Sequence, residues 1–305
     1  MASNEIEILD PAAKVEKLKK IAAGRALNRR RFIAALGMTG AAAGASMMSG
    51  CTSSTTAVPT TTATGTQINI LNFALNLEYL EATFYSFITQ GADLSASLTA
   101  NSGAITGAPA KLTFATQQIT DMLNEIYFDE KSHVAALISL LGSSVVPRPA
   151  INLAAFGTVS ASNALTIARL FEDVGVTAYA GAVTALTSTN LAYAAQILGV
   201  EGFHSGALRL TAIQNAVPYV AADSQDVPPA DEGTAALASA GPTASGSFFA
   251  TQGASTAGTT AALSYTRTTS QVLAIVYGGP GALATSGTSA GGFFPSGMNG
   301  VITSV

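Results

Sequence analysis

The sequence predicts an all-α protein: a bundle of four long helices followed by an irregular C-terminal extension. Three observations predict it. Apolar residues recur on a helical period from about Ile68 to Leu210, the mark of helices that bury one face. Each periodic segment is far longer than the ~11–12 residues of an average globular helix, and a four-helix bundle needs that length. Past Pro218 the composition turns to Pro, Gly, Ala, Ser and Thr, too poor in large apolar residues to build a second core.

The elements follow in order. The first helix is INILNFALNLEYLEATFYSFITQ, with Gly91 as its stop. Residues 91–113 are small and polar, include Pro109 and read as a loop. The second helix is TQQITDMLNEIYFDEKSHVAALISLLG, ended by Gly142 and then by Pro147 and Pro149. The third is SNALTIARLFEDVGVTAYAGAVTAL and the fourth STNLAYAAQILGVEGFHSGALRLTAI, closed near Pro218. The bundle is therefore expected over residues 68–217, with 218–305 as an extension packed on it. Within that extension, YTRTTSQVLAIVYGG reads as a short helix or strand, and GGFFPSGMNGVI as a turn-rich stretch with exposed-looking aromatics. The two are expected to fold back onto the bundle; a partner-binding surface is the other reading.

Charge narrows the function. The chain has 305 residues, 48% hydrophobic and only 10% charged, with a formal charge of -4. Eight of its fourteen Lys and Arg precede Phe32, so the bundle has no basic face to track phosphates and nucleic acid is excluded as a partner. The basic cluster itself, Arg29-Arg30-x-Phe32-Ile33 before a Gly/Ala-rich apolar run, resembles a twin-arginine export signal. Cys51 is the only cysteine, so no disulfide forms within the chain. It follows Met48-Ser49-Gly50 and precedes a Thr/Ser-rich linker over 52–67, an arrangement that resembles a lipoprotein processing site. Residues 1–51 are thus expected to send the protein to the periplasm or the outer face of the envelope, with a lipid on Cys51 as a membrane tether. Cleavage at Ala45 or Ser46 would instead leave Cys51 as a free thiol.

The chemistry sits on four helical stripes. The only two histidines lie three residues after a glutamate, in Glu130-x-x-His133 and Glu201-x-x-His204. The stripes Ile126, Glu130, His133, Leu137, Leu140 and Ala194, Ile197, Glu201, His204, Leu208 place each pair on an apolar, inward face. The first helix carries Leu71, Leu75, Glu78, Ala82, Tyr85 and the third Leu165, Ala168, Glu172, Gly175, Tyr179, each with a tyrosine seven residues after a glutamate. Four inward carboxylates repel one another and lose hydration. Two divalent cations cancel that charge, and oxygen donors with one imidazole per metal suit iron or manganese, and zinc as well. Asp129 and Asp173, beside two of these glutamates, read as solvated or capping acids. Gly175 on the inward stripe suggests close helix packing, or room for a small oxidant.

This layout resembles the cores of bacterioferritin and rubrerythrin. The phrases LNFALNLEYLEATFY, DEKSHVAALISLLG, FEDVGVTAYAGA and SQVLAIVYGG…GGFFPSGMNG resemble, more closely, the ferritin-like desiccation-related proteins of the cell envelope. The resemblance spans roughly residues 68–302. It implies a ferritin-like four-helix bundle in which Glu130 and Glu201 bridge two metals, Glu78 and Glu172 each hold one, and His133 and His204 each bind one through a single ring nitrogen. It further implies that Tyr85 and Tyr179 donate to Glu172 and Glu78. The chain departs from the pattern in a longer first helix–helix loop, a long tail and an extra acid, Glu81, which, one turn from Glu78, could replace or supplement it as a ligand. The function implied is oxidation of Fe(II), or reaction with O2 or H2O2, at a di-iron or di-manganese carboxylate centre, in oxidative or desiccation stress. The alternative is a non-catalytic envelope protein in which the metal pair only stabilises an interaction scaffold.

Overall fold

The computed structural model describes residues 65–100, 102–215, 264 and 266–305. The export signal, Cys51 and most of the Thr/Ser-rich linker lie outside the described residues, as do residues 216–263. Four long helices dominate: α1 (Gly65–Gln90), α2 (Gln117–Leu141), α3 (Ala164–Ala182) and α4 (Ser188–Gln214). A two-turn helix, α5 (Thr269–Val276), follows them. α1 packs along α2 and α3 along α4, and the two pairs meet through α1 with α3 and α2 with α4. No helix among the described residues is long and apolar enough to cross a membrane.

The helix ends follow from local chemistry. α1 stops where Gly91 turns left-handed, at φ 73°, and its amide closes on the Phe87 carbonyl at 2.9 Å. α2 starts at Thr116, whose hydroxyl accepts from the Ile119 amide, and stops at Gly142, φ 54°. A 3-10 turn over Val183–Ala185 joins α3 to α4. α1 begins at Gly65, inside the stretch whose composition reads as linker.

The two longer connections meet. Ile105–Thr106 (β1) pairs in parallel with Ile151–Asn152 (β2), a two-residue ladder within a stretch that reads as loop from its sequence. The buried Arg148 holds the two connections together. Its guanidinium grips Asp93 with both terminal nitrogens (2.5 and 2.8 Å) and donates to the carbonyls of Ser102 and Gly103.

α1 departs most from the pattern of a half-buried helix, because every residue from Leu71 to Ser86 is buried. A helix covered on all sides needs more neighbours than a bundle supplies, and residues 266–305 provide them. Asn76, fully buried in the middle of α1, donates to the Asn299 carbonyl at 2.8 Å and accepts from its amide at 3.1 Å. α5 rests on α3, and its first turn is fixed by a capping box between Thr268 and Gln271. Phe293 stacks on Phe156 with ring centroids 4.8 Å apart and meets Phe171 edge-on. Phe293 and Phe294, which look exposed in their turn-rich stretch, are fully buried. Turns set the backbone there, but the Phe293 ring finds partners more than a hundred residues away, and Phe294 meets Tyr277 edge-on.

Candidate metal centre

Glu78 on α1, Glu130 and His133 on α2, Glu172 on α3, and Glu201 and His204 on α4 converge at mid-bundle. The four carboxyls have no solvent exposure and the imidazoles almost none. Their donor atoms form two groups, Glu78, Glu130, His133, Glu201 and Glu130, Glu172, Glu201, His204. Within each group all atoms lie within 4.8 Å of one another. Glu130 and Glu201 belong to both. Glu78 and Glu172 each belong to one.

Two phenols hold the outer carboxylates. Tyr179 donates to Glu78 Oε1 and Tyr85 to Glu172 Oε1, each at 2.5 Å and each across to another helix. The second oxygen of each carboxylate is left facing the centre. His133 Nδ1 stands 3.2 Å from Glu130 Oε2, 3.3 Å from Glu78 Oε2 and 3.4 Å from Glu201 Oε1. His204 Nδ1 is 3.0 Å from both Glu172 Oε2 and Glu130 Oε1. A ring N–H has one direction, so each imidazole satisfies one oxygen well; for His204 that is Glu172 Oε2.

Other oxygens are left bare. Glu78 Oε2, Glu130 Oε1 and both oxygens of Glu201 are shut off from solvent with no hydrogen-bond partner among the described residues. Buried acceptors in that state are costly. The donor set is therefore incomplete without cations, and its composition of carboxylate oxygens with one imidazole nitrogen per group fits a pair of divalent ions. The residues fit the metals the sequence suggests.

Protons partly fill that role in the bare chain. Burial and the surrounding carboxylates, Glu201 first, hold the Glu81 carboxyl well above its usual range, and burial with Glu130 and Glu172 does the same to Glu201. Burial, Glu172 and Glu78 raise Glu130 to about 7. Burial opposes charge on the imidazoles, but Glu78, Glu130 and Glu201 together outweigh it at His133, and Glu172 with Glu130 lifts His204 to about 12. Burial also pushes Glu78 up, but His133, with hydrogen bonds from Glu130 and Tyr179, more than offsets it and the carboxyl settles below its ordinary value. Tyr85 and Tyr179 are driven well up by burial and by their carboxylate partners, so both stay hydrogen-bond donors.

Glu81 lies one turn from Glu78 and is buried, but it belongs to neither donor group. Its Oε1 and the Glu201 carboxyl border the same glycine. A Cβ on Gly175 would land on Glu201 Oε2 and stand 3.4 Å from Glu81 Oε1. The space at Gly175 is thus filled by the Glu201 carboxyl.

Two acids turn out otherwise than their sequence setting suggests. Asp129 is partly exposed, yet its Oδ2 lies 3.1 Å from His204 Nε2 and holds the ring from behind. Asp173 is neither solvated nor a cap. It is buried and takes Arg209 Nε and Nη2 at 3.0 and 2.6 Å, Arg169 Nη2 at 3.0 Å and the Ser205 hydroxyl at 2.7 Å. Burial raises its pKa, but the two guanidiniums outweigh burial and hold it below the usual value. The i,i+4 spacing of Arg169 and Asp173 is the one local signal for this cluster; Arg209 enters from α4 by tertiary packing.

Residues 66–214 match the family model described as a ferritin-like domain. No curated protein matches the chain.

Proposed function

Residues 66–214 being a ferritin-like domain, we propose that this chain holds two divalent metal ions, iron first and manganese second, and oxidises Fe(II) with O2 or H2O2. The observation that carries this reading is the set of bare, fully buried oxygens on Glu78, Glu130 and Glu201, in two donor groups that share Glu130 and Glu201. When bound, a di-iron pair supplies two electrons, enough with two protons to reduce H2O2 to two waters. The chain's residues divide the remaining work. Glu130 and Glu201 reach both positions, whereas Glu78 and Glu172 each reach one. Tyr179 and Tyr85 hold the two outer carboxylates in place. Asp129 fixes the orientation of His204 from outside, so that Nδ1 faces inward. Glu81 keeps a buried proton beside Glu201.

The chain's lone cysteine lies before the bundle, so no thiolate cluster feeds the site and electrons come from iron or an outside donor. We assign this activity to the cell envelope under oxidative or desiccation stress, on the strength of Arg29-Arg30, the apolar run after them and Cys51. Elemental analysis of the chain purified from its producing cells, followed by oxygen uptake on adding Fe(II), tests the reading. Two metals per chain and Fe(II)-dependent oxygen uptake are expected. Two metals without oxidation would replace it with the stabilising role, and no metal would overturn both.

A further inference from the structure

A cavity of about 170 Å3 lies between α1, α3 and the start of α5. Its walls are apolar: Phe73 and Leu77 from α1, Ala178 and Ala182 from α3, and Val272 from α5. Tyr179 completes the lining with its ring, while its hydroxyl reaches away to Glu78. The charged lining residue, Arg267, is engaged elsewhere, donating to the Thr177 hydroxyl at 2.8 Å. Tyr179, Leu77 and Val272 are buried and Ala185 and Thr268 exposed, so the cavity is deepest at the tyrosine and opens beside Ala185 and Thr268.

This space does not come from loose docking. The Arg267 amide donates to the Thr177 carbonyl at 3.0 Å, and Gly181 lets the chain so close that a Cβ there would collide with the Arg267 carbonyl. The capping box at Thr268 fixes the next residues. Tightly seated elements therefore enclose an opening that the alanines leave unfilled. Native interiors keep few voids of this size. Ordered water needs two to four polar partners, and this lining does not offer them. An apolar cavity of about 150 Å3 accommodates benzene.

We propose that this cavity binds a small neutral apolar molecule, an alkyl or aryl group of about six to eight carbons, lodged against the ring of Tyr179. The site belongs to the chain whether or not metals are bound, so it stands or falls apart from the metal reading. Its occupant lies one phenol ring from Glu78, on the side of the bundle opposite the two histidines.

Benzene titrated into the full chain, followed by thermal unfolding, tests the proposal, together with a xenon-pressurised crystal. A saturable rise in Tm and xenon density between Phe73, Ala182 and Val272 are expected. Ala182→Phe, which fills the space, should bind benzene at least tenfold more weakly while its own Tm does not fall. Ala178→Leu fills the same space from the next turn and serves if that variant does not fold. Benzoate, the same ring with a charge, should bind at least tenfold more weakly than benzene. No saturable shift with benzene, equal binding by the filled variant, or xenon only elsewhere overturns the site; equal binding of benzoate overturns its apolar, neutral specificity.

Discussion

Replacing Gly175 by alanine separates the stability of the bundle from the integrity of its centre. The glycine lies inside α3, where alanine is normally better by about 1 kcal/mol. At this position the new methyl would land on Glu201 Oε2 and come within 2.9 Å of Glu201 Cδ and 3.4 Å of Glu81 Oε1. Ordinary contact begins near the last of these distances, so the Glu201 carboxyl must withdraw by about 1 Å, and overpacking of that kind costs about 1–3 kcal/mol. Set against the propensity gain, the metal-free variant should lose no more than about 2 kcal/mol and stay folded. The centre fares worse, because Glu201 belongs to both donor groups. Disturbing how a ligand is held typically costs about 10–100-fold in metal affinity, so affinity for Mn2+ should fall by about that much at both positions. Circular dichroism and urea unfolding read the first effect; calorimetric Mn2+ titration reads the second. Gly199→Ala is the control. Its Cβ on α4 meets nothing within 4 Å, so it should gain about 1 kcal/mol of stability and bind metal as before. Two Mn2+ bound with unchanged affinity by Gly175→Ala would refute the reasoning, since Glu201 could then not be a ligand where it stands.

Two other predictions follow from the buried charges. In the metal-free chain Glu81, Glu130, Glu201, His133 and His204 are all shifted upward, so their stabilising contribution is complete below their unfolded values and fades as pH rises through the folded ones. Glu78 alone in this cluster has the opposite sign. Metal-free Tm should therefore fall between pH 5 and 8 while metal affinity rises, with roughly three or four protons released on loading; calorimetry in buffers of different ionisation enthalpy counts them, and a metal-free Tm that climbs over that range would refute it. Asp173→Asn leaves Arg209 and Arg169 buried beside a neutral partner and should destabilise the fold by about 3–5 kcal/mol in urea at neutral pH. Asp173 is shifted downward, so its contribution is present above the unfolded value and disappears as pH falls through the folded one, and the two proteins should converge in acid.

The helices and their inward faces are legible in the sequence because both depend on local spacing. Gly91 and Gly142 mark helix ends by supplying backbone angles other residues avoid. A glutamate and a histidine three residues apart share a helix face wherever that helix goes, and an apolar run around them points that face inward. What depends on distant partners is not legible. Nothing near Phe293 announces that Phe156 and Phe171 will cover it. The apolar residues of α1 suggest one buried stripe, whereas cover from Asn299 and its neighbours buries the whole circumference. Asp129 looks solvated because its link to His204 spans 75 residues.

Adjacent residues on α3 show the bundle treating buried carboxylates in two ways. Asp173 receives two guanidiniums and a hydroxyl from Arg209, Arg169 and Ser205. Its charge is met by fixed cations and its carboxyl stays ionised. One residue before it, Glu172 turns the other way, into a cluster where Glu201 has no hydrogen bond at either oxygen. Among the described residues no ion pair joins a lysine or arginine to that cluster: Arg169 and Arg209 pair with Asp173, and Arg148 with Asp93. The fold thus has the means to neutralise a buried acid from within and applies them a single residue away. The oxygens left bare on Glu78, Glu130 and Glu201 are consequently not explained as a packing failure. They leave room for charge that arrives from outside the chain: protons at Glu130 and Glu201 and, as we propose, divalent metal at all three.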